Sequence, residues 1–196
     1  AYVGGFVATY FFGIPKDKLA EQKLAEETVV EPTMTTVEPT TTAHATEVFS
    51  AVAKGAVHPL EEAADPVFAE KMMGEGYFIE PTDGAIYAPV RGKVSTIFPT
   101  KHAIGITTES GMEVLLHMGI NTVELDGKPF DIMVNEGQTV TADTEVAKVD
   151  LDAIKAAGKG TSMMVLITNM NEIATHVLEK TGPVLASEEV FKATTK

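Results

Sequence analysis

At 196 residues, of which 44% are hydrophobic, the chain has enough length and apolar content for one well-packed domain with sequence to spare. Its formal net charge of −13 excludes a nucleic-acid-binding face, which would have to be basic, and favours partners that bring a basic docking surface. With no cysteine, neither a disulfide framework nor a thiolate zinc site can form, which fits a reducing compartment. Most of the acidity lies beyond residue 47: three Lys and seven Asp/Glu precede that point, and twelve Lys/Arg and twenty-one Asp/Glu come after it.

Residues 1–12 (AYVGGFVATYFF) are uncharged and apolar. As a helix they would rise about 18 Å, short of the roughly 30 Å hydrocarbon core. They carry neither an initiator Met nor a basic leader, so residues 1–13 read as the end of a truncated transmembrane helix; the alternative is an ordinary apolar strand. Lys16, Lys18 and Lys23 would then place the downstream residues on the cytoplasmic side. Residues 14–47 read as a linker in two parts. Residues 16–27 are helix-prone but offer only Leu19 and Leu24 to bury. Residues 28–47 are a Thr/Pro/Glu tract without aromatic residues, expected to be extended and disordered, with His44 solvated inside it.

From residue 48 to 196, short apolar runs alternate with Gly, Pro and Asp. Strands are expected at 49–53, 77–81, 85–88, 93–98, 103–107, 113–117, 145–149 and 164–168. Turns are expected at Asp83-Gly84, Arg91-Gly92, Asp126-Gly127 and Glu136-Gly137. Helical pattern is confined to 67–73, 151–157 and 171–175. This is the pattern of an all-β sandwich or barrel with a few short helices. Two stretches, Ala88-Pro89-Val90-Arg91-Gly92-Lys93-Val94 and Val134-Asn135-Glu136-Gly137-Gln138-Thr139-Val140, look alike and suggest a duplicated half-motif.

One histidine, His117, interrupts the apolar run Val114-Leu115-Leu116-His117-Met118-Gly119-Ile120. A second, His102, lies upstream across the turn-rich segment Thr107-Thr108-Glu109-Ser110-Gly111. If 103–107 pairs antiparallel with 113–117, the two imidazoles meet at one end of a hairpin. Such a pair suits phosphoryl carriage or metal binding, since imidazole is nucleophilic near neutral pH. By spacing alone, a structural histidine at a core or rim position is the commoner explanation of the pattern.

The run Gly111-x-x-Val114-Leu115-Leu116-His117-Met118-Gly119-Ile120-x-Thr122-Val123 resembles the phosphohistidine signature of the glucose-type IIA domains of the bacterial phosphoenolpyruvate-dependent sugar phosphotransferase system. Thr100-Lys101-His102-Ala103 is similar to the segment that carries that family's second, non-phosphorylated histidine. Asp65-Pro66-Val67-Phe68-Ala69-Glu70-Lys71, Ala88-Pro89-Val90-x-Gly92 and Asn169-Met170-Asn171-Glu172-Ile173 extend the resemblance over residues 48–196.

The resemblance implies a β-sandwich of the duplicated hybrid motif type, with His117 accepting phosphate and His102 donating an N–H to it. Thr100 would orient the His102 ring, as a partner fixes a histidine tautomer. Phe68, Phe98, Leu115 and Val123 would form an apolar docking face, with Asp65 and Glu70 at its rim. Phosphate would come from the histidine phosphocarrier protein HPr and pass to a IIB cysteine of the same permease, held to the membrane by a IIC domain. The chain would be the C-terminal, cytoplasmic part of a fused glucoside-class permease in a bacterial membrane. No cofactor is implied beyond an intermolecular zinc bridging His102, His117 and a partner's carboxylate. Asn121 stands where well-known soluble members carry aspartate, which removes a negative charge near the phosphate.

Three rival readings fit parts of the same sequence. A biotinyl or lipoyl carrier would need its lysine at a hairpin tip, whereas Lys148 lies between Ala147 and Val149 in an expected strand. A zinc hydrolase would need a third ligand and a general base, and neither His-x-His nor His-Glu-x-x-His occurs. The third is a regulatory binding module that is never phosphorylated.

Overall fold

The computed structural model describes residues 44–196; the readings made for the membrane-helix end, the helix-prone stretch and the tract up to residue 43 lie outside the described residues. The strands are β1 Thr46–Ser50, β2 Gly55–Pro59, β3 Glu75–Pro81, β4 Ala85–Tyr87, β5 Gly92–Ile97, β6 Ala103–Thr107 and β7 Glu113–Ile120. They continue with β8 Phe130–Ile132, β9 Thr139–Val140, β10 Glu145–Val149, β11 Gly160–Ile167, β12 Ile173–Leu178, β13 Gly182–Val184 and β14 Glu189–Thr195. Two short helices, α1 Pro66–Ala69 and α2 Leu151–Ala156, interrupt them. The largest sheet runs β13-β2-β3-β11-β7-β6-β5-β9, and two three-stranded sheets run β1-β14-β12 and β4-β10-β8. The described residues form the all-β sandwich that the apolar pattern predicts.

Strand alternation decides what each face of the large sheet does, because successive side chains point to opposite sides. Val114, Leu116 and Met118 of β7 join Met163, Val165 and Ile167 of β11 and Tyr77 and Ile79 of β3 in the main core. The residues between them face the other way. Leu115, Met164, Leu166 and Phe78 form a second cluster with Ala103, Ile120, Leu60 and Phe68. With both faces buried, the central strands read as nearly continuous apolar runs. His117 falls on the second face, two residues beyond Leu115. Register then sets a row across five strands: Ala103 opposite His117, His117 opposite Met164, Met164 opposite Phe78, and Phe78 opposite His58.

The lid over that second face is small. Asp65 caps α1, accepting the Val67 N–H at 2.8 Å, and Pro66 occupies the first turn, where its missing N–H costs nothing. A four-residue helix has no stability of its own. It is held by burial of Phe68 and by Lys71, whose ammonium meets Glu61 at 2.6 Å and Glu75 at 2.8 Å. Burying Phe68 contributes roughly 1.5–3 kcal/mol, more than these partly exposed ion pairs.

Several boundaries differ from expectation. Strand β1 starts at Thr46, two residues before the expected domain start at 48. Thr46 Oγ1 lies 2.9 Å from Thr194 Oγ1, and the Ser110 hydroxyl donates to Glu47 at 2.7 Å. His44, expected to be free in a linker, places Nδ1 2.9 Å from the Thr195 carbonyl oxygen. The helix expected over 67–73 stops after one turn, at Ala69, with Lys71 in the left-handed region at φ 58°. The helix expected over 171–175 is a 3-10 turn, Met170–Glu172, followed directly by β12, which pairs with β14. The two look-alike segments pair with each other: Gly92 lies opposite Val140 and Lys93 opposite Thr139.

Candidate active site

The β6–β7 hairpin builds the site with the register that the turn at 107–111 predicts. Thr107 lies opposite Glu113 and Ala103 opposite His117, and the Met118 N–H donates to the His102 carbonyl at 2.7 Å. The imidazoles of His102 and His117 therefore meet at the end of the hairpin, with centroids 4.9 Å apart and planes at 77°. Phe68 walls His117 at 5.2 Å and Phe98 walls His102 at 5.5 Å, both edge-on. Past His117, Gly119 turns at φ 83° and Asn121 at φ 58°, and the Thr122 hydroxyl donates back to the Met118 carbonyl at 2.7 Å. A side chain at position 119 would drive its Cβ to 2.4 Å from Thr122 Cγ2 and 2.8 Å from the Gly160 carbonyl oxygen, so only glycine fits.

The two rings have different hydrogen-bonding states. Thr100 Oγ1 lies 2.6 Å from His102 Nδ1, and His102 is only 8% exposed. His117 Nδ1 is buried without a hydrogen-bond partner of good geometry among the described residues. The Gly119 backbone weakly favours the protonated ring. With Nδ1 buried, Nε2 is the ring nitrogen left to face the hollow. Burial first, and the neighbouring His102 ring second, push the His117 pKa down to about 4; Gly119 and the Asp65 carboxylate pull weakly the other way. Burial also lowers the pKa of His102. Near neutral pH both rings are neutral, the state a nucleophilic imidazole needs.

A hollow of about 270 Å³ opens over the pair, lined by Asp65, Val67, Phe68, Met73, both histidines, Asn121, Thr122 and Val123. The expected docking residues divide between rim and floor. Val123, 48% exposed, and Phe98, 38% exposed, stand at the surface, while Phe68 is buried against His117. Leu115 does not line the hollow: alternation buries it in the second cluster at 9% exposure, so it supports the sheet under the site and offers no docking contact. Asp65 lines the hollow, but Glu70 caps the far end of α1, away from it. Val67 and Met73 also line it, although the sequence pattern does not mark them as site residues; their one signal is that they flank Phe68 in the same short segment. No group of three or more His, Cys, Asp or Glu side chains placed to hold a metal occurs among the described residues. Any zinc on the histidines would need a ligand from another molecule.

A both-faces-buried antiparallel sheet presents two neutral, edge-packed imidazoles in an open, apolar-walled hollow, an arrangement suited to phosphoryl carriage. The chain belongs to the phosphoenolpyruvate-dependent sugar phosphotransferase system EIIA 1 family, whose model matches residues 46–173. It is a phosphocarrier domain and phosphotransferase component of that system. It is 54% identical over 147 residues to the glucose-specific EIICBA component of Streptococcus pneumoniae, covering 75% of this chain and 20% of that one. It is 38% identical over 194 residues to the beta-glucoside-specific EIIBCA component of Bacillus subtilis, covering 97% of this chain and 29% of that one. The chain thus spans about a fifth and under a third of the lengths of these two relatives. Among solved structures, the glucose permease IIA from Mycoplasma capricolum superposes with a TM-score of 0.71 at 37% identity, over 76% of this chain and 96% of that one.

Proposed function

We propose that His117 accepts phosphate from the phosphocarrier protein HPr through Nε2 and hands it to a cysteine of a IIB domain. The observation that carries this reading is the His117 ring itself: neutral near pH 7, its Nδ1 buried, and its open edge on the hollow beside His102. The Nε2 lone pair attacks the phosphorus while the phosphorus–nitrogen bond on the donor histidine breaks, and that electron pair returns to the donor ring. In the second transfer a cysteine thiolate attacks the same phosphorus and the pair returns to Nε2. Such a transition state needs positioning and donors more than covalent activation. His102 supplies a ring N–H to the phosphoryl oxygens, and Thr100, at 2.6 Å, sets which nitrogen carries that proton. Phe98 and Val123 form the exposed apolar rim on which each partner docks, with Asp65 steering a basic surface.

The fused relatives, named EIICBA and EIIBCA, support a IIB and a IIC domain in the same polypeptide, and hence a cytoplasmic position at a bacterial membrane permease. The match to the EIIBCA relative takes in 97% of this chain, against 75% for the EIICBA relative. This favours the order in which a membrane domain precedes, with residues 1–13 as its last helix and the stretch up to residue 45 as a tether. A tether of about thirty residues, if it behaved as a flexible coil, would span roughly 30 Å and keep the partner at millimolar effective concentration. The beta-glucoside relative supports a glucoside-class sugar, and the glucose relatives support glucose. The test is His117→Ala with phosphoenolpyruvate, enzyme I and HPr. The native chain should gain an acid-labile, alkali-stable phosphate and the variant none; acceptance by the variant at the native rate would overturn the assignment.

A further inference from the structure

We propose that the side-chain amide of Asn121 is a further catalytic group of this site, donating a hydrogen bond to the phosphoryl oxygens on His117; the inference rests on the phosphocarrier reading above. A phosphoryl group on Nε2 brings between one and two negative charges and three acceptor oxygens into the hollow. Among the described residues, no lysine or arginine lines it. Val67, Phe68, Met73 and Val123 have no side-chain donor, and Asp65 is an acceptor already receiving the Val67 N–H at 2.8 Å. The Thr122 hydroxyl is committed to the Met118 carbonyl at 2.7 Å. Two side-chain donors remain: the free ring nitrogen of His102, whose Nδ1 faces Thr100 at 2.6 Å, and the amide of Asn121. The Asn121 side chain makes no capping hydrogen bond to the turn that follows it.

The turn explains how that amide comes to be there. Gly119 at φ 83° and Asn121 at φ 58° bend the chain back at the end of β7, and the Thr122–Met118 bond pins the bend. Asparagine and aspartate both enter the left-handed region with less strain than most residues. The backbone therefore accepts either, and the chemistry of the hollow separates them: an amide donates to phosphate, and a carboxylate repels it.

The test uses the full chain, phosphorylated with phosphoramidate or with phosphorylated HPr, in three forms. Asn121→Gly keeps the left-handed backbone and deletes the donor, and Asn121→Asp keeps the shape and substitutes a charge. At equilibrium with phosphorylated HPr, the ratio of phosphorylated to free chain should fall roughly five- to ten-fold in the glycine variant and further in the aspartate variant, with unchanged denaturant midpoints. In the native chain the Asn121 side-chain amide protons should move downfield when phosphate is added. An equal ratio in all three forms, with amide resonances unmoved, would show that Asn121 serves the turn alone. Failure of native His117 to take phosphate from either donor would instead overturn the phosphocarrier reading, and this inference with it.

Discussion

His58 and His117 occupy one cross-strand row of the large sheet and face the same side of it, yet their surroundings have nothing in common. His58 stacks flat on Phe78, with centroids 5.0 Å apart and planes at 17°, and places Nδ1 3.2 Å from the Glu62 carboxylate. That geometry ties the ring to an aromatic face and a surface carboxylate. His117 meets its neighbours edge-on and, among the described residues, has no carboxylate hydrogen-bonded to it and holds a buried Nδ1 without a hydrogen-bond partner. That geometry rewards a neutral ring with one lone pair free. Strand register determines that both histidines lie in the row; the elements packed over each end, α1 at one and the 3-10 turn Leu60–Glu62 at the other, give them their different surroundings.

The largest expected break in this comparison comes from the second ring of the site. His102→Gln should still accept phosphate from HPr but pass it on to the IIB cysteine about 100- to 1000-fold more slowly, the usual cost of a missing transition-state donor. Measuring both half-reactions by rapid mixing decides it, and equal losses in the two directions would contradict the division of labour. Next in size is Gly119→Ala. The left-handed backbone and the 2.4 Å approach to Thr122 should together cost about 2–4 kcal/mol of stability, read from the shift of the denaturant midpoint.

Acid sharpens the contrast between the two histidines. The folded His117 pKa lies at about 4, below its ordinary 6.5, so between these values the unfolded chain binds the proton more readily than the folded one. Stability from the neutral ring is therefore complete above about pH 6.5 and is lost as the pH falls toward 4, by as much as roughly 2–3 kcal/mol. Denaturation curves at a series of pH values should show the loss in the native chain and a flatter profile in His117→Gln. The smallest effect belongs to His58. His58→Gln breaks a pair whose carboxylate is mostly exposed and should change stability by no more than about 0.5 kcal/mol. It should leave phosphate acceptance at the native rate; a large drop would mean that the two ends of the row are coupled.

The hairpin that carries the site was legible because its signals are local. A Gly-containing turn, two apolar runs of matching length and period-two alternation together fix one register, and the structure places Ala103 opposite His117 as that register requires. The far end of β7 was less legible. The strand runs on to Ile120 because the Met118 N–H finds the His102 carbonyl, a partner set by the fold and not by the segment itself. The same reason hid the peripheral strands. Four consecutive residues of β12, Ala174 to Val177, are exposed, so Ile173–Leu178 shows no buried stripe, and its pairing with β14 is supplied entirely by distant sequence. The short strand Gly55–Pro59 ends in proline and likewise draws its definition from β3 and β13. Among the site residues, the aromatic ones were legible by type but not by depth. Alternation from His117 puts Leu115 on the same face, and only the lid formed by Leu60 and Phe68 shows that this face is covered at Leu115 and open at His117.

The most direct test of the central claim is to locate the phosphate atom by atom. The chain, labelled with ¹⁵N in its imidazoles, would be phosphorylated by HPr and examined by ¹⁵N and ³¹P resonance. The account predicts a single phosphohistidine, at Nε2 of His117, with Nδ1 keeping its proton and the His58 ring nitrogens unchanged. Phosphate on His102 or His58, or on Nδ1 of His117, would contradict it.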